Sequence, residues 1–369
     1  MSFDWDKTRK RQETALPNLD LPDIADKVVI VTGGNTGIGY EIAKYLAANG
    51  VAKVILACRN AAKGKAAAAS IVHETGCEPT EAEPWLLDLA SFASVRAFVQ
   101  RFKDSGLPLD VLVNNAAMHS VGKQTSEDGL DLLVQVDHIS PLLLTLLLLP
   151  VLQRPSSEAA HTGPARIVWV TSEGAALPPF PEASLPRPVT ALCARSFPTR
   201  EAEHEVYFTT KLLNIACCIE LARLLSGSPG QREVKVAAAH PGLVASELGK
   251  KDIEGDNFKP VDLEGRYGMK PRTPADGAKT ILVPIVYPSL KVWGRARTQW
   301  NSEQAREEGE VVDAGMAIMP VFESMEVMKE YPMKAQDEEL RRRIWADSVQ
   351  LASLRANEID ERFVGFQTI

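Results

Sequence analysis

Short apolar runs recur between residues 27 and about 239, and the segments between them carry apolar positions that return every three or four residues. The runs at 28–31, 54–57, 84–87, 111–113, 167–170 and 234–236 predict strands. Between the third and fourth, Val95, Phe98, Val99 and Phe102 fall on one face of a helix. Strands that alternate with helices in this way predict an α/β fold with a doubly wound parallel sheet, whose ligands sit outside the carboxyl ends of the strands.

The same pattern marks where the plan is interrupted. Residues 174–204 hold six prolines and no clear period, which predicts a long loop that is either part of a lid or a surface excursion. Residues 248–272 are polar and glycine-containing, a second candidate lid. Residues 293–332 carry Glu307, Glu308 and a set of methionines and fit no element. The organisation expected is an exposed leader at 1–26 and one domain at 27–369 with these three insertions. The longest apolar run, 141–152, is too short for a bilayer, which needs about 20 residues, so no membrane span is expected and a buried core or subunit-interface helix is.

Composition narrows the function classes. With 369 residues, 45% hydrophobic and 24% charged, the chain can bury a large core. A net charge of -7 argues against nucleic acid as the main partner, because that needs a basic face. Cys58, Cys77, Cys193, Cys217 and Cys218 form no Cys-x-x-Cys pair and are odd in number, so neither a disulfide framework nor a zinc site is signalled and a reducing, cytoplasmic setting is expected. No cluster has metal-ligand spacing, and no metal is expected.

Candidate chemistry gathers at the predicted strand ends. The first run leads into Thr32, Gly33, Gly34, Asn35, Thr36, Gly37, Ile38 and Gly39 and then a helical segment at 40–48. A strand, a glycine-rich turn and a helix form a Rossmann βαβ unit that binds a dinucleotide: glycines allow close backbone approach, and the helix N-terminus faces the pyrophosphate. Asp88 and Leu89 follow the third run, Asn114, Asn115 and Ala116 the fourth, Thr171 and Ser172 the fifth, and His240, Pro241 and Gly242 the last. Tyr207 and Lys211 are one helical turn apart, which puts an ammonium near a phenol, where it lowers the phenol's pKa. The second run ends Ala57, Cys58, Arg59, Asn60 with no acid. An acid there holds the ribose 2′-hydroxyl of NAD, whereas Arg59 suits the 2′-phosphate of NADP, so NADP is expected over NAD.

Thr-Gly-x-x-x-Gly-x-Gly at 32–39, Asn-Asn-Ala at 114–116 and Tyr-x-x-x-Lys at 207–211, in this order, resemble the short-chain dehydrogenase/reductase family over most of 27–290. Residues 57–60, 166–170 and 272–274 look most like its retinol-dehydrogenase-like branch. The resemblance implies that Tyr207 is the acid/base, that Lys211 lowers its pKa and binds the nicotinamide ribose, and that Ser172 holds the substrate oxygen. It places Gly33, Gly37 and Gly39 at the pyrophosphate, with Asn35, Thr36 and Ile38 in the same turn. It sets Asp88 at the adenine, with Leu89 beside it, Asn115 and Ala116 along the cofactor cleft, and Pro241, Gly242 and Ser246 by the nicotinamide carboxamide. It further implies a small lipophilic carbonyl or alcohol substrate and a homodimer through the helices around 141–152 and 208–225, faces that the extra C-terminal segment can block.

One position departs from the family. Asp137 stands where the family has an Asn that holds a bend in its helix and whose backbone carbonyl anchors a water linked to the lysine. An acid there keeps the carbonyl, loses the amide donor and adds charge that can raise the pKa of Lys211 or impair the relay. The expected function is an NADP-dependent oxidoreductase interconverting a ketone or aldehyde and an alcohol. The alternative is a redox-impaired NADP-binding scaffold, sensor or non-redox enzyme of the same fold.

Overall fold

The structure is a computed structural model that describes residues 5–16, 19, 24–119, 122–155, 161, 163–197, 199–226, 231–246, 248, 252–254, 257–259, 262–286, 321–323, 326–328, 333–354, 358 and 360–364. Six strands, β1 Val28–Thr32, β2 Lys53–Cys58, β3 Ala82–Leu86, β4 Val111–Asn114, β5 Ala165–Val170 and β6 Val234–Ala239, run parallel in the order β3-β2-β1-β4-β5-β6. The chain therefore has the Rossmann-type α/β fold. β1 lies at the centre, with Ile30 beside Ile55 on one side and Leu112 on the other, and all five of its residues are buried. A strand covered on both faces has no polar side to show, which is why β1 reads Val-Val-Ile-Val without alternation. Beyond β6, Val321–Glu323 adds in parallel and Glu326–Met328 antiparallel. Most of the third insertion, including Met316, Met319 and Met325, lies outside the described residues.

Helices cover both faces. α1 spans Trp5–Glu13, α2 Gly37–Ala48, α3 Ala61–Thr75, α4 Phe92–Asp104, α5 Leu132–Leu152, α6 Pro188–Ala194, α7 Arg200–Leu225, α8 Pro274–Val286 and α9 Glu338–Leu351. One core joins α2, α3 and α8 to the Val29 and Val31 side of the sheet, and the other joins α4, α5, α7 and α9 to the Ile30 side. Local signals set the helix starts. Asn60 accepts from the Lys63 amide at 2.9 Å to open α3, and the left-handed Gly76 closes it.

α5 is longer than the apolar run that announced it. At 21 residues it is long and apolar enough to cross a membrane by length and composition, but its apolar window is 89% buried inside the protein, so here it is a core helix. Its first half contains a wide turn, Gln135–Ile139, in which the Ser140 amide reaches back to the Gln135 carbonyl. Such a turn carries one extra residue and releases a carbonyl from the helix ladder.

Two expectations about the accessory segments are corrected. The leader is not an exposed strand of chain along its described length: α1 packs on the body with Thr8 and Gln12 buried, because both find polar partners across the cleft. The proline-rich insertion is anchored in the core rather than a free lid or a surface excursion, and Gly174, Leu177 and His204 near its ends line the cavity at the carboxyl edge of the sheet. Phe180, Val189, Leu192 and Phe197 join the core, and α9 braces the segment. Asp347 accepts from the Val189 and Thr190 amides, each at 2.8 Å, and Arg343 donates to the carbonyls of Ala183 and Leu185. α9 also packs on α7 and on α5, the helices on which the homodimer expectation rests.

Candidate active site

A cavity of about 650 Å³ opens at the carboxyl edge of the sheet. Gly33, Asn35, Thr36, Gly37, Ile38, Arg59, Asp88, Leu89, Asn115, Ala116, Ser172, Tyr207, Lys211, Pro241, Gly242 and Ser246 all line it. Two residues singled out from the sequence, Gly39 and Asp137, stand behind the wall instead.

The turn after β1 is built for close approach. Gly33 and Gly37 have φ of +67° and +58°, in the left-handed region that glycine tolerates. A Cβ on Gly39 would lie 2.5 Å from the Gly33 carbonyl oxygen and from Asn115 Nδ2, so only hydrogen fits. Thr32, a residue whose side chain the glycine pattern hides, ties the turn to β4. Its hydroxyl accepts from the Asn115 and Ala116 amides, each at 2.9 Å, while Asn115 Nδ2 donates to the Thr32 carbonyl at 2.8 Å. Thr36 opens α2 with no side-chain cap, so the first-turn amides meet no side chain of their own cap residue and the helix start faces the cavity. Bare amides and a helix dipole at a glycine cradle suit a pyrophosphate. Arg59 lies beyond β2 on one side of this cradle, and the ends of β5 and β6 lie on the other. The residues present therefore fit a dinucleotide laid across the strand ends. At Asp88, one carboxylate oxygen accepts from the Ala90 amide at 3.0 Å, which fixes the side chain at the cavity wall.

The chemical end is formed by β5 and α7. Ser172 Oγ accepts from the Gly174 amide at 3.1 Å, which leaves its own hydrogen able to donate into the cavity. The Tyr207 ring is flanked edge-on by His119, 4.6 Å between centroids, and by Phe208 at 5.4 Å. His119 in turn stacks on His204 at 4.5 Å. Lys211 Nζ lies 5.1 Å from the Tyr207 ring centroid and 3.5 Å from Asp137 Oδ2. The phenol is not lowered as the one-turn spacing suggested: burial pushes its pKa up, and the charge of Asp137 and then Tyr267 push the same way. The lysine nitrogen lies nearer the carboxylate than the centre of the phenol ring.

Asp137 is held from three directions. Its Oδ1 accepts from the Met118 amide at 2.7 Å, Lys211 faces Oδ2, and burial outweighs both and raises its pKa to about 6. Its backbone carbonyl, released by the wide turn, accepts from Asn214 Nδ2 at 2.9 Å. Asn214 Oδ1 also meets His138 Nδ1 at 2.7 Å, and His138 Nε2 meets Ser348 Oγ of α9 at 2.7 Å. Burial holds the His138 pKa down, to about 4, so it is neutral here and serves as a structural link. Asn214 was legible only as a polar residue on an apolar helix, three positions after Lys211. The pocket-lining roles of Thr8, Gln12, Glu173 and His119 had no sequence signal, whereas His204 ends the segment read as a candidate lid.

The profile of the family described as short chain dehydrogenase matches residues 27–184. Over 345 residues the chain is 34% identical to Dehydrogenase/reductase SDR family member 13 of Bos taurus, covering 93% of this chain and 78% of that one. The chain belongs to the short-chain dehydrogenase/reductase family. Within it the chain falls in the retinol-dehydrogenase-like branch: it is 32% identical to human Retinol dehydrogenase 13 over 342 residues, 92% of this chain and 88% of that one. Among solved structures, a protein from Mycobacterium Paratuberculosis has the same fold, with a TM-score of 0.60 at 23% identity over 93% of this chain and 99% of that one. A short chain dehydrogenase from Burkholderia cenocepacia J2315, solved in complex with NADP, matches with a TM-score of 0.52 at 22% identity, over 72% of this chain and 93% of that one. Family membership carries an oxidoreductase role and a nicotinamide cofactor. Among the described residues there is no group of His, Cys, Asp and Glu placed to hold a metal.

Proposed function

We propose that the protein is an NADP-dependent oxidoreductase that interconverts a ketone or aldehyde and an alcohol on a small lipophilic molecule, with Tyr207 as the acid/base. The observation that carries this is convergence: Ser172, Tyr207 and Lys211 face one cavity with the glycine cradle, and Arg59 stands at its far end. The cofactor, when bound, supplies or accepts the hydride. Ser172 donates a hydrogen bond to the substrate oxygen and holds the carbonyl carbon in place. In reduction the Tyr207 hydroxyl gives its proton to that oxygen as the carbon takes the hydride; in oxidation the phenolate takes the proton back. A phenol held protonated suits the first direction. Lys211 would meet the cofactor ribose, Gly33, Gly37 and the start of α2 would hold the pyrophosphate, and Pro241, Gly242 and Ser246 would border the nicotinamide.

Two finer points rest on the walls. Arg59, with no acid at the end of β2, favours the 2′-phosphate of NADP through its planar fork. Leu132, Val136, Leu177, Phe208, Leu248 and Met269 line the rest of the cavity, which suits an apolar substrate body. The proposal includes a cytoplasmic setting, which the five free thiols suit.

The Lys211–Asp137 pair favours a second reading, a redox-impaired NADP-binding protein, because it engages the lysine and its carboxylate adds to the burial that opposes ionisation of the phenol. NADPH consumption over a panel of hydrophobic ketones and aldehydes, measured beside NADPH binding, separates the two. Turnover supports the enzyme, and binding without turnover supports the second reading.

A further inference from the structure

α1 crosses the mouth of the cleft, although nothing in its sequence marks it as part of a site. Thr8 and Gln12, one turn apart, both line the cavity. Thr8 Oγ1 donates to Glu173, the residue after Ser172. Gln12 reaches the opposite wall. Its Oε1 accepts from the Leu243 amide at 2.9 Å, and its Nε2 donates to the Leu243 carbonyl at 2.9 Å and to the Lys270 carbonyl at 3.0 Å. One buried side-chain amide thus pairs with both backbone groups of Leu243 and joins them to a second segment of the cavity wall.

The loop is also bridged to residue 272: the Arg272 amide donates to the Leu243 carbonyl at 2.8 Å and the Ala245 amide to the Arg272 carbonyl at 3.0 Å, so the Leu243 amide is the group that depends on Gln12. Arg272 Nη1 donates to the Pro241 carbonyl at 3.1 Å, and Arg272 Nη2 donates to the Arg11 carbonyl at the end of α1 at 2.7 Å. Gly242 has φ of +77°, and a Cβ there would come within 2.5 Å of Gln12 Oε1, so the glycine is fitted to the glutamine. Arg59 and this loop stand at opposite ends of the strand-edge cavity, on either side of the glycine cradle. A dinucleotide with its adenosine half by Arg59 would have its nicotinamide half along 241–244.

We propose that Gln12 is a positioning residue for the cofactor: it fixes the 241–244 loop, and through it the nicotinamide half, so that α1 is one wall of the binding cleft. This rests on the cofactor reading given above. A positioning role makes a prediction that a purely structural role does not, because only one half of the cofactor meets the loop.

The test compares wild type, Gln12→Ala and the control Thr14→Ala, whose hydroxyl donates to the Lys10 carbonyl within its own turn. For each, dissociation constants are measured for NADPH and for adenosine 2′,5′-bisphosphate, which has no nicotinamide, with amide exchange at Leu243 in the free protein. The expected result is that Gln12→Ala binds NADPH about tenfold more weakly, the value of about one hydrogen bond, binds the bisphosphate as wild type does, and exchanges the Leu243 amide faster, while Thr14→Ala changes none of these. Equal NADPH affinity in Gln12→Ala and wild type overturns the proposal, and so does equal weakening of both ligands. If wild type binds the bisphosphate and NADPH not at all, the cofactor reading fails and this proposal falls with it.

Discussion

Lys211 Nζ lies closer to Asp137 Oδ2, at 3.5 Å, than to the centre of the Tyr207 ring, at 5.1 Å, so the lysine is shared between the phenol and a buried carboxylate. The carboxylate attracts the ammonium and at the same time opposes ionisation of the phenol. Asp137→Asn removes that charge and leaves the backbone carbonyl in place for Asn214. The alkaline limb of alcohol oxidation moves down by about one pH unit, and the rate at pH 8 rises up to about tenfold. A variant no faster than wild type shows that Asp137 is no handicap.

The same group makes stability depend on pH. Its carboxyl pKa is raised from the ordinary 3.8 to about 6 in the folded chain, so the folded state holds the proton more tightly than the unfolded state. The contribution is present in full below the unfolded value and is lost as pH rises through about 6, a difference on the order of 3 kcal/mol. Asp137→Asn therefore gains on wild type between about pH 4 and pH 6.5 in urea denaturation. A constant difference across that window contradicts the burial argument.

On the proposed NADP reading, Arg59 is the residue that separates the two nicotinamide cofactors. Arg59→Ala loses a charge-assisted contact with the 2′-phosphate, and NADPH affinity falls roughly 10- to 100-fold while NADH affinity holds. Fluorescence titration with both cofactors reads this directly. An unchanged ratio assigns the preference elsewhere.

Asp347 is buried and accepts four hydrogen bonds, from the Val189 and Thr190 amides, Thr190 Oγ1 and Arg187 Nε. Asp347→Ala strands two amides at the first turn of α6, which costs about 2–4 kcal/mol in denaturant unfolding. Deletion of 178–198 is then expected to unfold the protein rather than widen its substrate range. A folded deletion variant with altered substrate range restores the lid reading.

The sheet and the cofactor cradle were legible because they depend on local rules. β-branched runs make buried strands, and glycine is needed where φ is positive or Cβ has no room, as at Gly33 and Gly39. The strand ends then bring Asn115, Ser172, Tyr207 and Lys211 to one cavity by topology alone. Spacing did not reveal which partner a charged group takes. Tyr207 and Lys211 are one turn apart as expected, yet Asp137, brought by the wide turn of α5, claims the lysine. Long-range contacts were equally hidden: Gln12 lies 231 residues from Leu243, and Asp347 158 residues from Val189. Such pairs carry no periodicity, since one side chain meets one backbone group across the finished fold.

The central claim is that Tyr207 moves the proton while a nicotinamide moves the hydride at one carbon. Its most direct test is the transfer of deuterium from 4-deuterated NADPH to a hydrophobic ketone, by wild type and Tyr207→Phe, with NADPH binding measured in both. The account predicts labelled alcohol from wild type and at least a roughly hundredfold loss in the variant, with NADPH bound by both. Labelled alcohol at equal rates from the two proteins, or NADPH binding by wild type with no transfer to any ketone or aldehyde tried, contradicts it.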